Sequence, residues 1–393
     1  MLDNPRRPWN SAPFVLLAAC CQWPASSERD AKVLAAADQV DWTVFVALTK
    51  RHRVEGLAWD ALICAGVRPT PAAAEALTAR AGEIARRGLQ LAAQSARLQQ
   101  AFDAVGIPNL LLKGSALEIL AYGRLGLKSA WDIDLVVPPA WAAPAREVLE
   151  MAAFELRSPA CSTPEDFQQW TTLSKECVFV GRDNGIVVEL HWQLVEGDLT
   201  PDLSAASPCQ IVQAAPGVTL RTLARDELTA YLMVHGASHG WSRLKWLADL
   251  NALLPGGDTA ALAQVYRRSV ALGAGVCPAL ALRLCRRLFG LAIAPALQRE
   301  LDADPKARFL EMVAVNAMAG GAGRELADRP FVEDGILASR LLFDHGWRYR
   351  GREFRRQWVS IHDRRSIRLP PALNFLYDII RAPLWLWRRI RRP

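Results

Sequence analysis

The chain has no run of about 18 consecutive uncharged apolar residues, which argues against a membrane-spanning helix. Its early apolar stretch, Phe14 to Cys21, is short, follows Arg6 and Arg7, and leads to Trp23-Pro24 without a small-residue cleavage site. It reads as a core helix rather than a signal peptide. The eight cysteines are scattered and none stands in C-x-x-C spacing, so neither a disulfide framework nor a clustered zinc site is indicated. They read as buried, reduced thiols of a cytoplasmic protein. A Gly-x-x-x-x-Gly-Lys-Ser/Thr loop is also missing, which argues against a phosphotransferase of the P-loop kind. No internal repeat is evident.

What is present is a chain of 393 residues, 51% apolar and 22% charged, long enough for a sizeable core and two or three subdomains. The net charge of +7 is unevenly spread. From Gly346 to Pro393 there are 13 Arg, no Lys and three acids, giving +10 and leaving −3 for the body. A mildly acidic body does not suit a nucleic-acid binder, whose affinity comes from Lys and Arg on the binding surface. The tail ends in Ile379 to Arg392, where Trp385, Trp387 and five arginines mix with aliphatic residues, and Pro383 prevents one long straight helix. Such a segment suits peripheral contact with an anionic membrane surface. Packing back onto the body is the alternative.

Asp30 to Gly66 alternates apolar and polar residues at helical spacing. Ala72 to Val105 reads as one Ala-rich helix whose stripe Ile84, Gly88, Leu91, Ser95, Leu98, Phe102 and Val105 steps by four and three. Gly106-Ile107-Pro108 ends it. The rest of the chain is organised around the next stretch. Leu110 to Leu112 reads as a strand, Lys113-Gly114-Ser115 as the turn into a helix, and the apolar run carrying Asp132 and Asp134 as a second strand. Strand side chains alternate, so both aspartates share a face opposite Ile133 and Leu135. Two carboxylates repel unless a cation lies between them, and hard oxygen ligands suit Mg²⁺ carrying substrate phosphates. Gly114 lets a polyphosphate approach the backbone, and Ser115 opens a helix whose free N–H groups favour an anion.

Gly114-Ser115 after a strand, followed by Asp132-Ile133-Asp134 on the next, resembles the nucleotidyltransferase superfamily that includes DNA polymerase beta. More narrowly, LLKG…DIDLVV looks like a bacterial group of uncharacterised nucleotidyltransferases, in which an acidic-Leu-His-Trp block follows. Here that block is Glu189-Leu190-His191-Trp192. His52-Arg53-Val54 upstream and His235…His239-Gly240-Trp241…Leu244…Trp246…Asp249 downstream are similar to the group's flanking helices, so the resemblance runs from about Phe14 to His345. It departs at Lys128, four residues before the first aspartate, where the pattern implies an arginine. Lysine keeps the charge but loses bidentate phosphate contacts.

Beyond Pro138-Pro139, Trp141 to Ala152 reads as a helix, Phe154 to Leu156 as a strand, and the segment with Pro159 and Pro164 as a polar loop. Cys177 to Val180 and Ile186 to Trp192 flank Asn184-Gly185, a hairpin signal. Val187, Glu189 and His191 then share a face. A carboxylate in an apolar strand is costly to bury alone. As a third metal ligand it makes sense, and the resemblance implies that role for Glu189; a surface ion pair is the alternative. His191 stays open between partner of a metal-bound carboxylate, phosphate contact, base and ordinary core histidine. From Arg225 the pattern is helical again. His235 and His239 share a helix face without a third ligand nearby and read as cleft-lining. Arg243 and Lys245 either reach a triphosphate or are solvated. His52 reads as a packed or capping histidine.

The expected fold is α+β, a small mixed-sheet nucleotidyltransferase core over residues 106–194. An N-terminal helical module (1–105) and a C-terminal one (195–345) flank it, and the basic tail (346–393) follows. The expected chemistry is Mg²⁺-dependent transfer of an NMP from an NTP, with ATP the expected donor, to an unidentified hydroxyl acceptor, with release of pyrophosphate. Asp132, Asp134 and Glu189 hold metal. Lys113, Gly114, Ser115, Lys128, His191, Arg243 and Lys245 contact the nucleotide. The alternative is a catalytically silent nucleotide-binding or scaffold protein at the membrane surface. Neutralising either aspartate removes charge from a repulsive cluster, so stability is expected to hold or rise.

Overall fold

Period-two alternation in the middle of the chain builds a mixed sheet with one greasy face and one acidic face. The computed structural model describes residues 11–358, except 162, 198, 201–202, 320–323 and 330, together with residue 376. Strands β1 (Leu110–Leu111), β2 (Asp132–Val136), β3 (Phe154–Ser158), β4 (Glu176–Gly181) and β5 (Val187–His191) form one sheet in the order β1-β2-β5-β4-β3. β2 and β5 run parallel, and the other neighbours are antiparallel. Asn184 fixes the β4–β5 turn, its Oδ1 accepting from the Ile186 N–H at 2.9 Å while Gly185 takes φ +61°.

Ile133, Leu135, Cys177, Phe179, Val188 and Leu190 fill the greasy face. Against them lie Leu91, Leu98 and Phe102 of the long helix Pro71–Ala104 and Val148 and Leu149 of Ala142–Met151. Each such side chain contributes roughly 1.5–3 kcal/mol by leaving water. The predicted stripe of the long helix is buried from Ile84 to Phe102, whereas Val105, at its C-terminal cap, is exposed.

The helices in chain order are α1 (Ala12–Cys20), α2 (Ser27–Ala36), α3 (Trp42–His52), α4 (Glu55–Cys64), α5 (Pro71–Ala104), α6 (Gly114–Tyr122), α7 (Ala142–Met151) and α8 (Pro164–Leu173). They continue as α9 (Arg225–Ser238), α10 (Leu244–Leu253), α11 (Thr259–Ala271), α12 (Cys277–Phe289), α13 (Pro295–Ala303), α14 (Pro305–Ala319), α15 (Val332–Ser339) and α16 (Trp347–Trp358). The fold is α+β as expected. A second core joins α1 and α4 to α9, α10, α12 and α14, with Leu16, Leu62, Leu247, Leu282 and Val315 among its buried residues. Among the described residues no helix is long and apolar enough to cross a membrane.

Three expectations change. The polar loop after Pro159 contains α8, begun by Pro164 at its first turn and by Thr163, whose hydroxyl accepts the Asp166 N–H at 3.1 Å. The segment before Arg225, read without strands, holds a hairpin of β6 (Cys209–Ala215) and β7 (Val218–Leu223) turned by a Pro-Gly pair with Gly217 at φ +74°. Cys64 and Cys209 are exposed and Cys161 is half-buried, so not every thiol lies in the core. Of the basic tail, Trp347 to Trp358 is α16, anchored by buried Tyr349 and Glu353 and by Arg356 Nη1 2.7 Å from Glu196. The Trp385 and Trp387 segment lies outside the described residues.

His52 ties the helical layers together. Its Nδ1 accepts the N–H of Leu244, the first residue of α10, at 3.1 Å, and Phe14 meets its ring edge-on at 5.8 Å. It is both packed and capping. Accepting at Nδ1 requires the neutral ring, and burial, followed by the charges of Arg51 and Arg243, pushes its pKa down to about 3. The unfolded chain therefore binds a proton that the folded one refuses, so stability is lost as pH falls from about 6.5 toward 3. His52→Asn offers a non-titrating acceptor. Urea midpoints at pH 7.5 and 4.5 should show the wild type losing a few kcal/mol more than this variant, roughly 1.4 per pKa unit at most; equal acid losses would remove His52 from the account.

Candidate active site

Register brings the acidic residues together. In the parallel β2–β5 pair Asp134 lies opposite Glu189, and in the antiparallel β4–β5 pair Glu176 lies opposite His191. With Asp132 two residues before Asp134, all five side chains fall on the face turned away from the apolar core. That face closes against α9 and α10 around a cavity of about 230 Å³, lined by Asp132, Asp134, Glu176 and Glu189 on one side and by His235, His239, Lys245 and Trp246 on the other.

The carboxylates differ in their surroundings. Asp134 is 3% exposed, and both Lys113 Nζ, at 2.7 Å, and His191 Nε2, at 3.3 Å, crowd its Oδ1 without either being aligned as a hydrogen bond. Burial opposes its charge, but Lys113 and His191 outweigh burial and hold the carboxyl well below the usual range. Asp132 is pushed the other way by burial and by the neighbouring Asp134 charge. His191 bridges three acids, with Nδ1 3.0 Å from Glu176 Oε2 and Nε2 3.5 Å from Glu189 Oε2. Burial disfavours the imidazolium, yet the close carboxylates of Asp134, Glu176 and Glu189 bring its pKa up to about 9. One ligand atom each from Asp134, Glu189 and His191 lies within 4.8 Å of the others. A buried carboxylate oxygen with no aligned donor, beside a second carboxylate and an imidazole, is a donor set that fits a divalent cation.

This geometry revises the stability expectation for the aspartates. Asp132 makes no ion pair among the described residues, so neutralising it relieves repulsion. Asp134 is the counter-ion of Lys113, so neutralising it strands a buried ammonium.

Lys113 follows β1 and caps α6, whose first residue, Gly114, takes φ +62°, the left-handed region that favours glycine. Ser115 is buried beside it. Lys128 is 7% exposed and pairs with Asp249 of α10, whose other oxygen accepts from Tyr122 Oη at 2.9 Å. Glu118 Oε1 steadies that loop by accepting the N–H groups of Leu127 and Lys128, both at 2.7 Å. Lys245 lines the cavity; burial and then the charges of Lys128 and Arg53 pull it down to about 7.

Arg243 lies elsewhere. Its guanidinium reaches Glu325 Oε2 and the Arg51 carbonyl, both at 2.8 Å, and it lines a second cavity of about 520 Å³. His235 and His239 do line the cleft, their rings 4.7 Å apart and His239 stacked on Trp246 at 4.9 Å. Burial and then the Lys113 charge push the half-buried His235 well below the usual histidine range, whereas His239 is exposed at the cleft. Sequence reasoning gave no role to Arg53, Lys175, Glu176 or Asp249, which also line the cavity. Arg53 and Asp249 stood inside the quoted blocks, whereas Lys175 and Glu176 carry no signal until β4 is set against β5.

Residues 38–290 match the family described as uncharacterised nucleotidyltransferase, more than half of the chain and a span that includes every residue lining the cleft. The chain belongs to that family. No curated protein matches it.

Breaking the Lys128–Asp249 pair tests how far the site depends on it. Asp249→Asn leaves the Lys128 ammonium buried without its counter-ion and should cost about 3 kcal/mol of unfolding free energy in urea. A loss below about 1 kcal/mol would show that the pair is solvated rather than structural.

Proposed function

We propose that this member of the nucleotidyltransferase family moves an NMP from a Mg²⁺-bound NTP, with ATP the expected donor, to a hydroxyl acceptor, releasing pyrophosphate. The observation that carries the reading is the β2–β5 register, which sets Asp134 against Glu189 and leaves Asp132 on the same face above a cation-rimmed cleft. Asp132, Asp134 and Glu189 would hold the Mg²⁺. Bound there, the ion would neutralise phosphate charge and lower the pKa of the acceptor hydroxyl.

The chain's own residues divide the remaining work. Lys113 balances Asp134 before substrate arrives and then turns to the phosphates over Gly114, where no Cβ keeps the backbone from the anion. His191, clamped by Glu176 on one side, orients Asp134 and Glu189 on the other, which favours the carboxylate-partner reading over a base free to move a proton. Lys128 holds α10 to the loop before β2 through Asp249. His235, His239 and Trp246 line the helical side of the cleft opposite the carboxylates.

Incubating the protein with α-labelled ATP, Mg²⁺ and cell extract, and following both pyrophosphate and the labelled product, tests this reading. Asp132→Asn and Asp134→Asn should each lower turnover by ~10²-fold or more, the scale of a lost transition-state charge contact. Asp132→Asn should melt no lower than wild type, and Asp134→Asn should be destabilised by about 3 kcal/mol. Near-wild-type turnover in either variant contradicts the ligand assignment. Glu189→Gln should lose most turnover yet keep measurable Mg-ATP binding, since two aspartates remain; equal loss of binding and turnover would argue against this division.

A further inference from the structure

Five cations line the cleft, and three of them are matched by acids in its walls, Lys113 by Asp134, Lys128 by Asp249 and Lys175 by Glu176. Lys245 and Arg53 are not. Lys245 lies 5.8 Å from the Trp246 ring, and the Arg53 guanidinium makes no hydrogen bond or ion pair among the described residues. The cleft's other acids, Asp132 and Glu189, are those assigned to metal. Although Arg53 also borders the second cavity, two cations of the cleft lining therefore have no acid to pair with.

Backbone geometry aims them there together. Arg53 caps α3 in the left-handed region, at φ 55° and ψ 46°, where its N–H donates to the Lys50 carbonyl at 3.1 Å. Glycine or asparagine adopts that conformation far more readily than arginine. The residue before Arg53 is His52 and the residue before Lys245 is Leu244, and these two are joined by the 3.1 Å bond between His52 Nδ1 and the Leu244 N–H. Together with the 2.8 Å bond from Arg243 to the Arg51 carbonyl, it sets the end of α3 against the start of α10 and brings Arg53 and Lys245 to one wall. Lys128 opposes them but is held by Asp249. It cannot supply the two-pronged phosphate contact that an arginine gives.

We propose that Arg53, assisted by Lys245, is the polyphosphate clamp of the cleft. Its guanidinium takes two non-bridging oxygens of the outer phosphates of the nucleotide, the part that leaves as pyrophosphate. The identity of the anion as a nucleoside triphosphate rests on the proposed function; the anion site itself does not.

Calorimetric titration with inorganic tripolyphosphate in the presence of Mg²⁺ tests the clamp without an acceptor or a reaction. Arg53→Asn, which suits the left-handed backbone and so should melt at or above the wild-type temperature, is expected to weaken binding at least tenfold. Arg53→Lys should recover only part of it. Wild-type affinity in folded Arg53→Asn, or no tripolyphosphate binding by the wild type, overturns the proposal. The outcomes also separate the two readings. Tripolyphosphate binding that depends on Arg53 in a protein that releases no pyrophosphate from any NTP leaves the clamp standing and removes nucleotidyl transfer. Transfer with an unchanged KM for NTP in Arg53→Asn removes the clamp and leaves transfer standing.

Discussion

Like charge held at close quarters is the constraint on which the rest of this structure depends. A parallel pairing of β2 with β5 fixes Asp134 opposite Glu189, and strand alternation puts Asp132 on the same side. Carboxylates so placed, with an apolar core on the opposite side of the sheet and helices over them, stay ionised only if cations accompany them. The chain answers with Lys113 and His191 pressed onto one oxygen of Asp134. These contacts are short but poorly aligned, an arrangement that a divalent ion and its phosphates can replace.

The helical layers close the site and set its charge. Three polar links span long stretches of sequence to hold α10 in place: His52 to the Leu244 N–H, Lys128 to Asp249, and Tyr122 to the same Asp249. Each is buried, so each is expensive to leave unpaired. Together they bring His235, His239, Trp246 and cations without acid partners over an acidic sheet face. The sheet supplies negative charge and the helices positive charge, the division on which the proposed metal and phosphate roles rest.

Local pattern made much of this legible. Alternation at Asp132 to Val137 and at Ile186 to Trp192 gave the strands, Asn184-Gly185 gave their turn, and the three-and-four step of α5 gave its buried stripe, because each signal is written within a few residues. The small hairpin of β6 and β7 escaped, since its strands carry polar residues such as Gln210, Gln213 and Thr219 and only short apolar runs. Helix α8 was overlooked although Thr163-Pro164 with Glu165 and Asp166 is a start signal. The site split in the same way. Carboxylates on one strand could be paired by counting, but Glu176 beside His191 needs the β4–β5 register, and Lys128 with Asp249 joins residues 121 apart. Arg243 and Lys245 read together as either triphosphate contacts or solvated residues, and a two-residue offset at the start of a helix separates them, Arg243 pairing with Glu325 while Lys245 lines the cleft.

Everything proposed for the cleft depends on whether the acidic sheet face holds a divalent cation that a nucleotide then shares. Electron paramagnetic resonance titration with Mn²⁺, as a visible substitute for Mg²⁺, in the presence and absence of a non-hydrolysable ATP analogue measures this directly. The account predicts Mn²⁺ binding that tightens with the analogue and is lost when Asp132, Asp134 and Glu189 are all replaced by their amides. Binding that ignores the nucleotide, or that survives the triple replacement in a folded protein, would contradict it.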